Sequence, residues 1–316
     1  MMQMGIDLGG TNVAMGIVTQ EGKILAKASI PTQVELGVDS ILSRMAEGVK
    51  TLVSESNVSW EDISHVGIGS PGSVNSAKGW VRSACNLGFE NLMLADRMSA
   101  LLCKPVHVEN DANCAAFAEA KVGAGEGCLD CLTVTLGTGI GGGIVINGKL
   151  YRGFNGFGGE FGHTVICHDG EPCACGKRGC FETYASATAL IRETKRAAEQ
   201  NPHSLLNTLA QRDGAFSGKT VFDGAAQGDE TAKAVLDRYI EMLSVGIVNL
   251  IKIFQPERVI IGGGISHAGE ALLTPLEKAV TSLAYRKTVP DGDRTRLCLA
   301  KLGNDAGIIG AALLCE

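Results

Sequence analysis

The feature that most constrains the fold of this chain is a pattern of glycine-rich turns that occurs twice. The first copy runs Leu8-Gly9-Gly10-Thr11, Gly16-Ile17-Val18 and Gly22-Lys23-Ile24, and the second runs Leu136-Gly137-Thr138-Gly139, Gly143-Ile144-Val145 and Gly148-Lys149-Leu150. Each copy predicts a strand, a glycine turn, a second strand, a Gly-Lys turn and a third strand. We interpret the repeat as a duplication that produces two similar domains facing each other across a cleft. Chance resemblance between two glycine-rich hairpins is the alternative.

Strands and helices alternate along the rest of the chain. The spacing of apolar residues predicts helices over residues 38–54, 112–122, 185–200, 229–254 and 270–284, and Asp305 is predicted to cap a final apolar helix. No segment has the composition of a linker, so the two domains are expected to exchange chain. We place a smaller N-terminal α/β domain in residues 1–112 and a larger C-terminal α/β domain in residues 113–303. The last helix, residues 304–316, is expected to pack back on the first domain.

The composition indicates a globular cytoplasmic protein. Hydrophobic residues make up 45% of the 316 residues, and the formal net charge is −6. Nucleic acids and anionic membranes bind clustered Lys and Arg, and the chain has no basic tract. No apolar run approaches the roughly 18 residues of a membrane span, and the strand-like start leaves no room for a signal peptide. We therefore expect no nucleic acid and no membrane among the partners.

Three glycine turns that follow strands are candidate phosphate-binding sites. They contain Gly9, Gly10 and Thr11, then Gly137, Thr138 and Gly139, and finally Gly262, Gly263 and Gly264. Glycine allows the backbone to approach a ligand closely and to direct several N–H groups at it. One such turn would more often be a plain tight turn, but three in one chain favour phosphate binding. Asp7 lies beside the first turn, where a carboxylate is compatible with phosphate if Mg²⁺ lies between them.

Glu109-Asn110-Asp111 ends a predicted strand and precedes a predicted helix. Asn or Asp at this position is the residue expected to cap the helix. The functional interpretation is that Asp111 is a general base that accepts the proton of a substrate hydroxyl, while Asn110 binds neighbouring hydroxyls. The two interpretations are compatible.

The strongest local signal is a group of four zinc-ligand residue types in one loop, residues 163–180: His163, Cys173, Cys175 and Cys180. Imidazole and thiolate ligands suit tetrahedral Zn²⁺. A loop this rich in glycine buries little core of its own, so a metal would supply stability that packing does not. Clustered free thiols are the alternative.

Of the remaining cysteines, Cys167 is, with His168, a spare ligand candidate whose spacing is less suitable, and the others are expected to have structural roles. Cys128 and Cys131 form a lone CxxC pair, which is ambiguous and which we interpret as structural. The scattered cysteines are expected to be small core residues; they are Cys85, Cys103, Cys114, Cys298 and Cys315.

Taken together, these motifs resemble the ROK family (repressors, open reading frames and sugar kinases). The resemblance rests on Asp7-Leu8-Gly9-Gly10-Thr11, Leu136-Gly137-Thr138-Gly139, Glu160-Phe161-Gly162-His163 and the string from Cys173 to Glu182. It covers essentially the whole chain, and the motifs occur in the family's order. The members implied are bacterial glucokinases and relatives that act on mannose, fructose, allose or N-acetylated hexosamines.

The resemblance implies an actin-like ATPase (ribonuclease H-like) fold with a sugar in the interdomain cleft. Asp111 would be the base for the sugar 6-hydroxyl, and the sugar would be bound by Gly72, Asn86, Asn110, Asp111, Glu160, His163 and Glu182. Asp7 and the glycine turns would hold the phosphates of Mg-ATP, with Gly262, Gly263 and Gly264 near the adenosine. The zinc would be structural, because all four of its positions are filled by protein, and His163 would offer its second ring nitrogen to the sugar.

The expected reaction is transfer of phosphate from ATP to a hexose, with glucose as the expected substrate and a homodimer as the expected assembly. Two alternatives belong to other classes of protein. One is a sugar-sensing repressor, which would need a DNA-binding domain before the first glycine turn. The other is a non-catalytic nucleotide-binding module.

Overall fold

The computed structural model describes residues 1–285 and 289–314. Cys315 and the end of the predicted last helix lie outside these residues. The strands are β1 (Met2–Leu8), β2 (Asn12–Thr19), β3 (Ile24–Pro31), β4 (Ile63–Ser70), β5 (Ser73–Asn75), β6 (Trp80–Ala84), β7 (Phe89–Leu92), β8 (Val106–Asn110), β9 (Cys131–Leu136), β10 (Ile140–Ile146), β11 (Lys149–Leu150), β12 (Arg258–Gly262) and β13 (Arg296–Leu299). The α-helices are α1 (Val38–Glu55), α2 (Leu94–Leu102), α3 (Asp111–Val122), α4 (Glu182–Ala185), α5 (Ala187–Gln200), α6 (Leu205–Asp213), α7 (Gly218–Ala226), α8 (Glu230–Phe254), α9 (Glu270–Ala284) and α10 (Ala306–Ala312).

The predicted duplication is visible in two five-stranded sheets with the same strand order. The first sheet has the order β3-β2-β1-β4-β8, and the second has the order β11-β10-β9-β12-β13. In the first sheet β1 is parallel to β4, and in the second β9 is parallel to β12. A third sheet, β5-β6-β7, was not anticipated from the sequence. The turn between β10 and β11 has positive φ at both Asn147 and Gly148, as a type I′ turn requires.

The chain divides into two compact units. The first unit comprises residues 1–130, 143–159 and 301–316, and the second comprises residues 131–142 and 160–300. The division passes through β10, so the chain leaves and re-enters each unit. The boundary placed after residue 112 from the sequence falls inside α3, which lies entirely within the first unit.

Helices cover both faces of the first sheet, so its central strands are buried on both faces. Alternate residues of β1, among them Met4, Ile6 and Leu8, belong to the same core as residues of α1. On the opposite face α10 lies very close to the sheet. A Cβ at Gly5 would lie 2.0 Å from the carbonyl oxygen of Ile308, so only glycine allows this approach. The last helix therefore packs on the same face of β1 as Asp7.

The second unit is organised around α8, a helix of 25 residues. Its N-terminus is capped by Asp229, whose carboxylate accepts a hydrogen bond from the Ala232 N–H at 2.7 Å. The fully buried ring of Phe181 packs against α8 where Gly246 leaves room, since a Cβ there would lie 2.2 Å from the ring. This contact anchors the end of the loop containing residues 163–180 to the core of the unit.

Several local predictions are corrected by the structure. The helix predicted over residues 185–200 begins only at Ala187, because Ser186 caps α5 and separates it from α4. Asp305 precedes α10 but does not cap it, and its carboxylate instead pairs with Lys27 at 3.1 Å. Cys114 is a core residue as predicted, whereas Cys85 and Cys103 are exposed.

Over the described ranges, 1–285 and 289–314, none of the helices has both the length and the apolar character needed to cross a membrane.

Candidate active site and metal centre

In the first unit, acidic residues meet in one row across the ends of three parallel strands. The register pairs Asp7 of β1 with Gly69 of β4, and Gly69 with Glu109 of β8. Asp111 follows at the first turn of α3. The helix is capped by Asn110, whose side-chain oxygen accepts a hydrogen bond from the Asn113 N–H at 3.2 Å. The capping role therefore belongs to Asn110, and the carboxylate of Asp111 accepts a hydrogen bond from the adjacent Ala112 N–H at 2.8 Å.

Asp7 and Asp111 are close enough to influence each other's ionisation. Burial, together with the negative charge of Asp111, raises the pKa of Asp7 to about 6. Burial also raises the pKa of Asp111, against the effect of the hydrogen bond from Ala112. Helix α10 contributes to the burial, since a Cβ at Gly307 would lie 2.4 Å from a carboxylate oxygen of Asp7. The pair is thus suited to accept a proton or to sit beside a cation.

Two asparagines predicted to bind sugar each lie beside a glycine that is also predicted to bind a ligand. The Asn110 side-chain amide donates to the carbonyl oxygen of Gly72 at 3.3 Å. Gly72 has φ 88°, and a Cβ there would lie 2.1 Å from the Ser83 carbonyl oxygen, so this position requires glycine. Asn86 follows β6 and is exposed, and its amide lies against Gly10 of the first glycine turn.

The first glycine turn, residues 9–11, joins β1 to β2. The Gly9 N–H donates to the Asn12 carbonyl at 2.9 Å, while Thr32 donates to the carbonyls of Gly9 and Thr11 at 2.7 and 2.8 Å. The loop is therefore held in shape by its own backbone and by Thr32, and Thr11 itself is exposed.

An ion pair that involves the buried Glu109 next to Asn110 was not predicted from the sequence. The Glu109 carboxylate accepts from Arg152 Nε at 2.5 Å and from the Asn113 side-chain amide at 3.0 Å. Glu109 and Arg152 are 43 residues apart, so no local pattern indicates the pair. The one available signal is an acidic residue at the end of the apolar strand Pro105-Val106-His107-Val108.

The fully buried thiol of Cys114 lies close to this charged group, since a Cβ at Gly69, which the register places between Asp7 and Glu109, would be 3.2 Å from its sulfur. Burial raises its pKa well above the ordinary value, and the charges of Glu109, Asp7 and Asp111 raise it further while Arg152 lowers it. The acidic residues therefore disfavour the thiolate form of Cys114.

In the second unit, the four predicted metal ligands converge. One ligand atom from each of His163, Cys173, Cys175 and Cys180 can be chosen so that all lie within 4.8 Å of one another. The Cys175 and Cys180 sulfurs are 3.6 Å apart, and Cys173 Sγ is 3.7 Å from His163 Nδ1. A tetrahedral zinc site with Zn–S bonds of about 2.3 Å has ligand–ligand edges of about 3.7 Å. The donor set and these two spacings fit zinc.

Glu182 lies next to this cluster. Its carboxylate is 3.1 Å from Cys173 Sγ and 3.4 Å from His163 Nδ1. On the other side, a Cβ at Gly139 would lie 2.5 Å from the second carboxylate oxygen. Glu182 therefore lies between the four candidate metal ligands and the glycine turn 137–139. Glu160 is exposed and begins a 3-10 turn, where its carbonyl accepts the His163 N–H at 3.2 Å.

The other two glycine turns adjoin each other in the second unit. Gly262 of β12 is in register with Thr135 of β9, so the strands preceding both turns end side by side. Gly263 has φ 83°, and a Cβ there would lie 2.6 Å from backbone atoms of Leu136. The two turns thus lie side by side, with Thr138, Gly263 and Gly264 exposed and Gly137 and Gly139 half-buried.

Comparison with known proteins identifies the family. The model of the ROK family matches residues 3–316. A glucokinase of Halalkalibacterium halodurans is 39% identical over 98% of this chain and 94% of its own length. A glucokinase of Thermotoga maritima is 41% identical over 98% of this chain and 95% of its own length. The crystal structure of a ROK family glucokinase from Streptomyces griseus, in complex with glucose and AMPPNP, superposes with a TM-score of 0.81 at 36% identity, covering 100% of this chain and 99% of that chain.

The chain belongs to the ROK family, as its motifs predicted. The fold class predicted from the resemblance, a duplicated α/β fold of the actin-like ATPase type with two domains, is also confirmed.

The raised pKa of Asp7 predicts a pH dependence of stability. A carboxyl group whose pKa rises from 3.8 to about 6 on folding binds more protons in the folded state between these values. Its contribution therefore favours folding at pH 4 and is lost as the pH rises through about 6, a change of about 2–3 kcal/mol. Asp7→Asn removes this term, so the variant should gain about that much stability relative to the natural protein between pH 4 and pH 7.

Urea unfolding at several pH values without divalent cations measures the difference. Asp62→Asn, at an exposed position of the same unit, is the matched control for the Asp-to-Asn replacement itself. A constant difference between Asp7→Asn and the natural protein at all pH values would contradict the prediction.

Proposed function

We propose that this protein is an ATP-dependent hexokinase of the glucokinase type, which phosphorylates the 6-hydroxyl of glucose. The observation that supports this most directly is the pair of desolvated carboxylates, Asp7 and Asp111, beside the glycine turn 9–11. A sugar kinase needs one group that accepts a hydroxyl proton and another that stands beside the phosphates. The class of enzyme, a sugar kinase, agrees with the glucokinases among the relatives, which match nearly the whole chain.

In the proposed mechanism Asp111 is the general base. Its carboxylate accepts a hydrogen bond from the 6-hydroxyl and orients the oxygen for in-line attack on the γ-phosphorus. As the new O–P bond forms, the carboxylate takes up the hydroxyl proton, the bond from the γ-phosphorus to the β–γ bridging oxygen breaks, and ADP leaves with that oxygen. Burial that raises its pKa makes the carboxylate a better proton acceptor than an exposed aspartate. Asn110, fixed by Gly72 and Asn113, and Asn86 bind neighbouring sugar hydroxyls.

Asp7 would hold Mg²⁺ of Mg-ATP, since a buried carboxylate with a raised pKa is stabilised by a nearby cation. When bound, the ion neutralises charge on the phosphate oxygens. The backbone of the glycine turns binds phosphate and adenosine through N–H groups; the proposed residues are Gly9, Gly10, Thr11, Gly137, Thr138, Gly139, Gly262, Gly263 and Gly264.

Zinc would have a structural role in the second unit. With His163 and three cysteines as ligands the coordination is complete, which leaves no position for a substrate. Because His163 Nδ1 faces the cysteines, Nε2 remains to bind a sugar hydroxyl, together with Glu160 and Glu182. The ion would fix the direction of these three side chains. We further propose a cytoplasmic homodimer that acts on small molecules and not on nucleic acid.

The substrate is tested by one coupled assay that measures ADP formation with a panel of sugars. We expect glucose to give the highest kcat/KM among glucose, mannose, fructose, allose, N-acetylglucosamine and N-acetylmannosamine. A higher value for another sugar would correct the substrate while leaving the reaction in place. Absence of sugar-dependent ADP formation with every sugar would refute the kinase and favour a non-catalytic sugar sensor.

Asp111→Asn tests the base. The variant keeps the shape of the side chain but loses its proton affinity, so kcat should fall by about 100-fold or more. Glucose affinity, measured by calorimetry, should change much less. Asp96→Asn, at an exposed position on α2 of the same unit, is the control and should keep normal turnover. Near-normal kcat in Asp111→Asn would remove Asp111 from this role.

Cys175→Ser tests the zinc site. Loss of one ligand should release the metal, lower the melting temperature and raise the KM for sugar, with little effect on the KM for ATP. Metal content by mass spectrometry and steady-state kinetics measure these changes. Cys103→Ser, which replaces an exposed cysteine outside the cluster, should retain the metal. Full activity of Cys175→Ser in the presence of a chelator would show that the ion is dispensable.

A further inference from the structure

The ion pair between Glu109 and Arg152 lies outside the residues predicted to bind ligands, and its carboxylate is buried. The Glu109 side chain is 3% exposed and that of Arg152 is 34% exposed, and Arg152 Nε lies 2.5 Å from the Glu109 carboxylate. A charge removed from water is costly unless it is paired and hydrogen-bonded. A buried pair is also weak evidence for stability, since apolar residues of similar volume often stabilise as well. The pair therefore calls for a reason other than stability.

The second carboxylate oxygen of Glu109 indicates that reason. It accepts hydrogen bonds from the backbone N–H of Asn110 at 2.9 Å and from the side-chain amide of Asn113 at 3.0 Å. Both donors belong to the turn between β8 and α3. Asn113 in turn donates its N–H to the side chain of Asn110. One carboxylate, neutralised by Arg152 on one side, thus holds both ends of the turn that contains Asp111.

Arg152 comes from a different part of the chain. It follows β11 and precedes a segment with glycine at positions 153, 156, 158 and 159. Such a segment gives little rigidity of its own, because glycine leaves the backbone many conformations. The Arg152 contact with Glu109 fixes the start of this segment, which leads along the chain to Glu160.

We propose that Glu109 and Arg152 are a positioning pair that sets the direction of Asn110 and Asp111 toward the sugar. The proposal deepens the sugar kinase function given above and rests on it. Neither side chain touches the reacting atoms in this scheme. They act through the turn 110–113, where a displacement of about 1 Å at the base can cost about 100-fold in rate.

Arg152→Met is the main test. It keeps most of the side-chain volume but leaves the carboxylate of Glu109 without its cation. The expected result is a fall in kcat of about 10- to 100-fold and a rise in sugar KM, with the KM for ATP changed less than about twofold. Arg152→Lys restores the charge and should recover part of the lost kcat. Arg97→Met removes an exposed arginine that pairs with Asp39 in the same unit, and it should leave all constants unchanged.

Amide hydrogen exchange provides a readout that does not depend on activity. In the natural protein the N–H groups of Asn110 and Asn113 are hydrogen-bonded to side chains of the turn. Exchange at these two amides should be at least about 10-fold faster in Arg152→Met and unchanged in Arg97→Met. Unchanged exchange together with unchanged kcat per folded molecule would overturn the proposal.

A second variant covers the case in which Arg152→Met does not fold. Glu109→Gln combined with Arg152→Gln removes both charges together and leaves an amide that still accepts from the turn. This variant should melt near the temperature of the natural protein and still turn over about 10-fold more slowly, because neutral hydrogen bonds hold the turn less firmly. Normal kcat in the folded double variant overturns the positioning role. Lack of sugar-dependent turnover in the natural protein would refute the kinase function instead, and the exchange measurement would then decide the role of the pair in the turn.

Discussion

The candidate site in the first unit depends on one electrostatic constraint, the gathering of three carboxylates at one edge of a sheet. Burial raises the pKa of the Cys114 thiol, and the negative charges of Glu109, Asp7 and Asp111 raise it further. The positive charge of Arg152 lowers it. Glu109 is neutralised by Arg152, whereas burial leaves the other two with raised pKa values. The fold thus separates one carboxylate that is paired with a cation and hydrogen-bonded to the backbone from two buried carboxylates with raised pKa values. That separation arises from position alone, since all three are ordinary acidic side chains.

In the second unit, the loop of residues 163–180 is organised around one histidine and three cysteines. The loop of residues 163–180 contains few residues that could form a core, and its buried anchor is Phe181 against α8. Three cysteines and His163 converge at the spacing of a tetrahedral metal site. Glu182 lies next to both this cluster and the turn at Gly139, so a metal bound by the cluster would help to fix the position of its carboxylate. In one unit an ion pair fixes polar groups, and in the other a metal would do so.

Much of this arrangement could be predicted from local sequence, because the determining residues lie close together in the chain. The glycine turns, the four candidate metal ligands and the Asn110-Asp111 turn all appear as short strings, and the structure places each at a strand end or in one loop. Long-range pairings could not be predicted. Arg152 and Glu109 are 43 residues apart. Lys27 and Asp305 are 278 residues apart, and Asp305 forms this ion pair although local sequence predicts that it caps α10. Short motifs show which groups are present, but only the fold shows which of them neutralise each other.

The close approach of α10 to the first sheet has a consequence for how the environment of Asp7 forms. A Cβ at Gly67 would lie 1.7 Å from the carbonyl oxygen of Ala311, so no bulkier residue in β4 would allow the helix to lie there. The same helix covers the face of β1 where Asp7 is buried. Residues 306–312 are far along the chain from β1, so the burial that raises the pKa of Asp7 exists only when these two distant segments pack together.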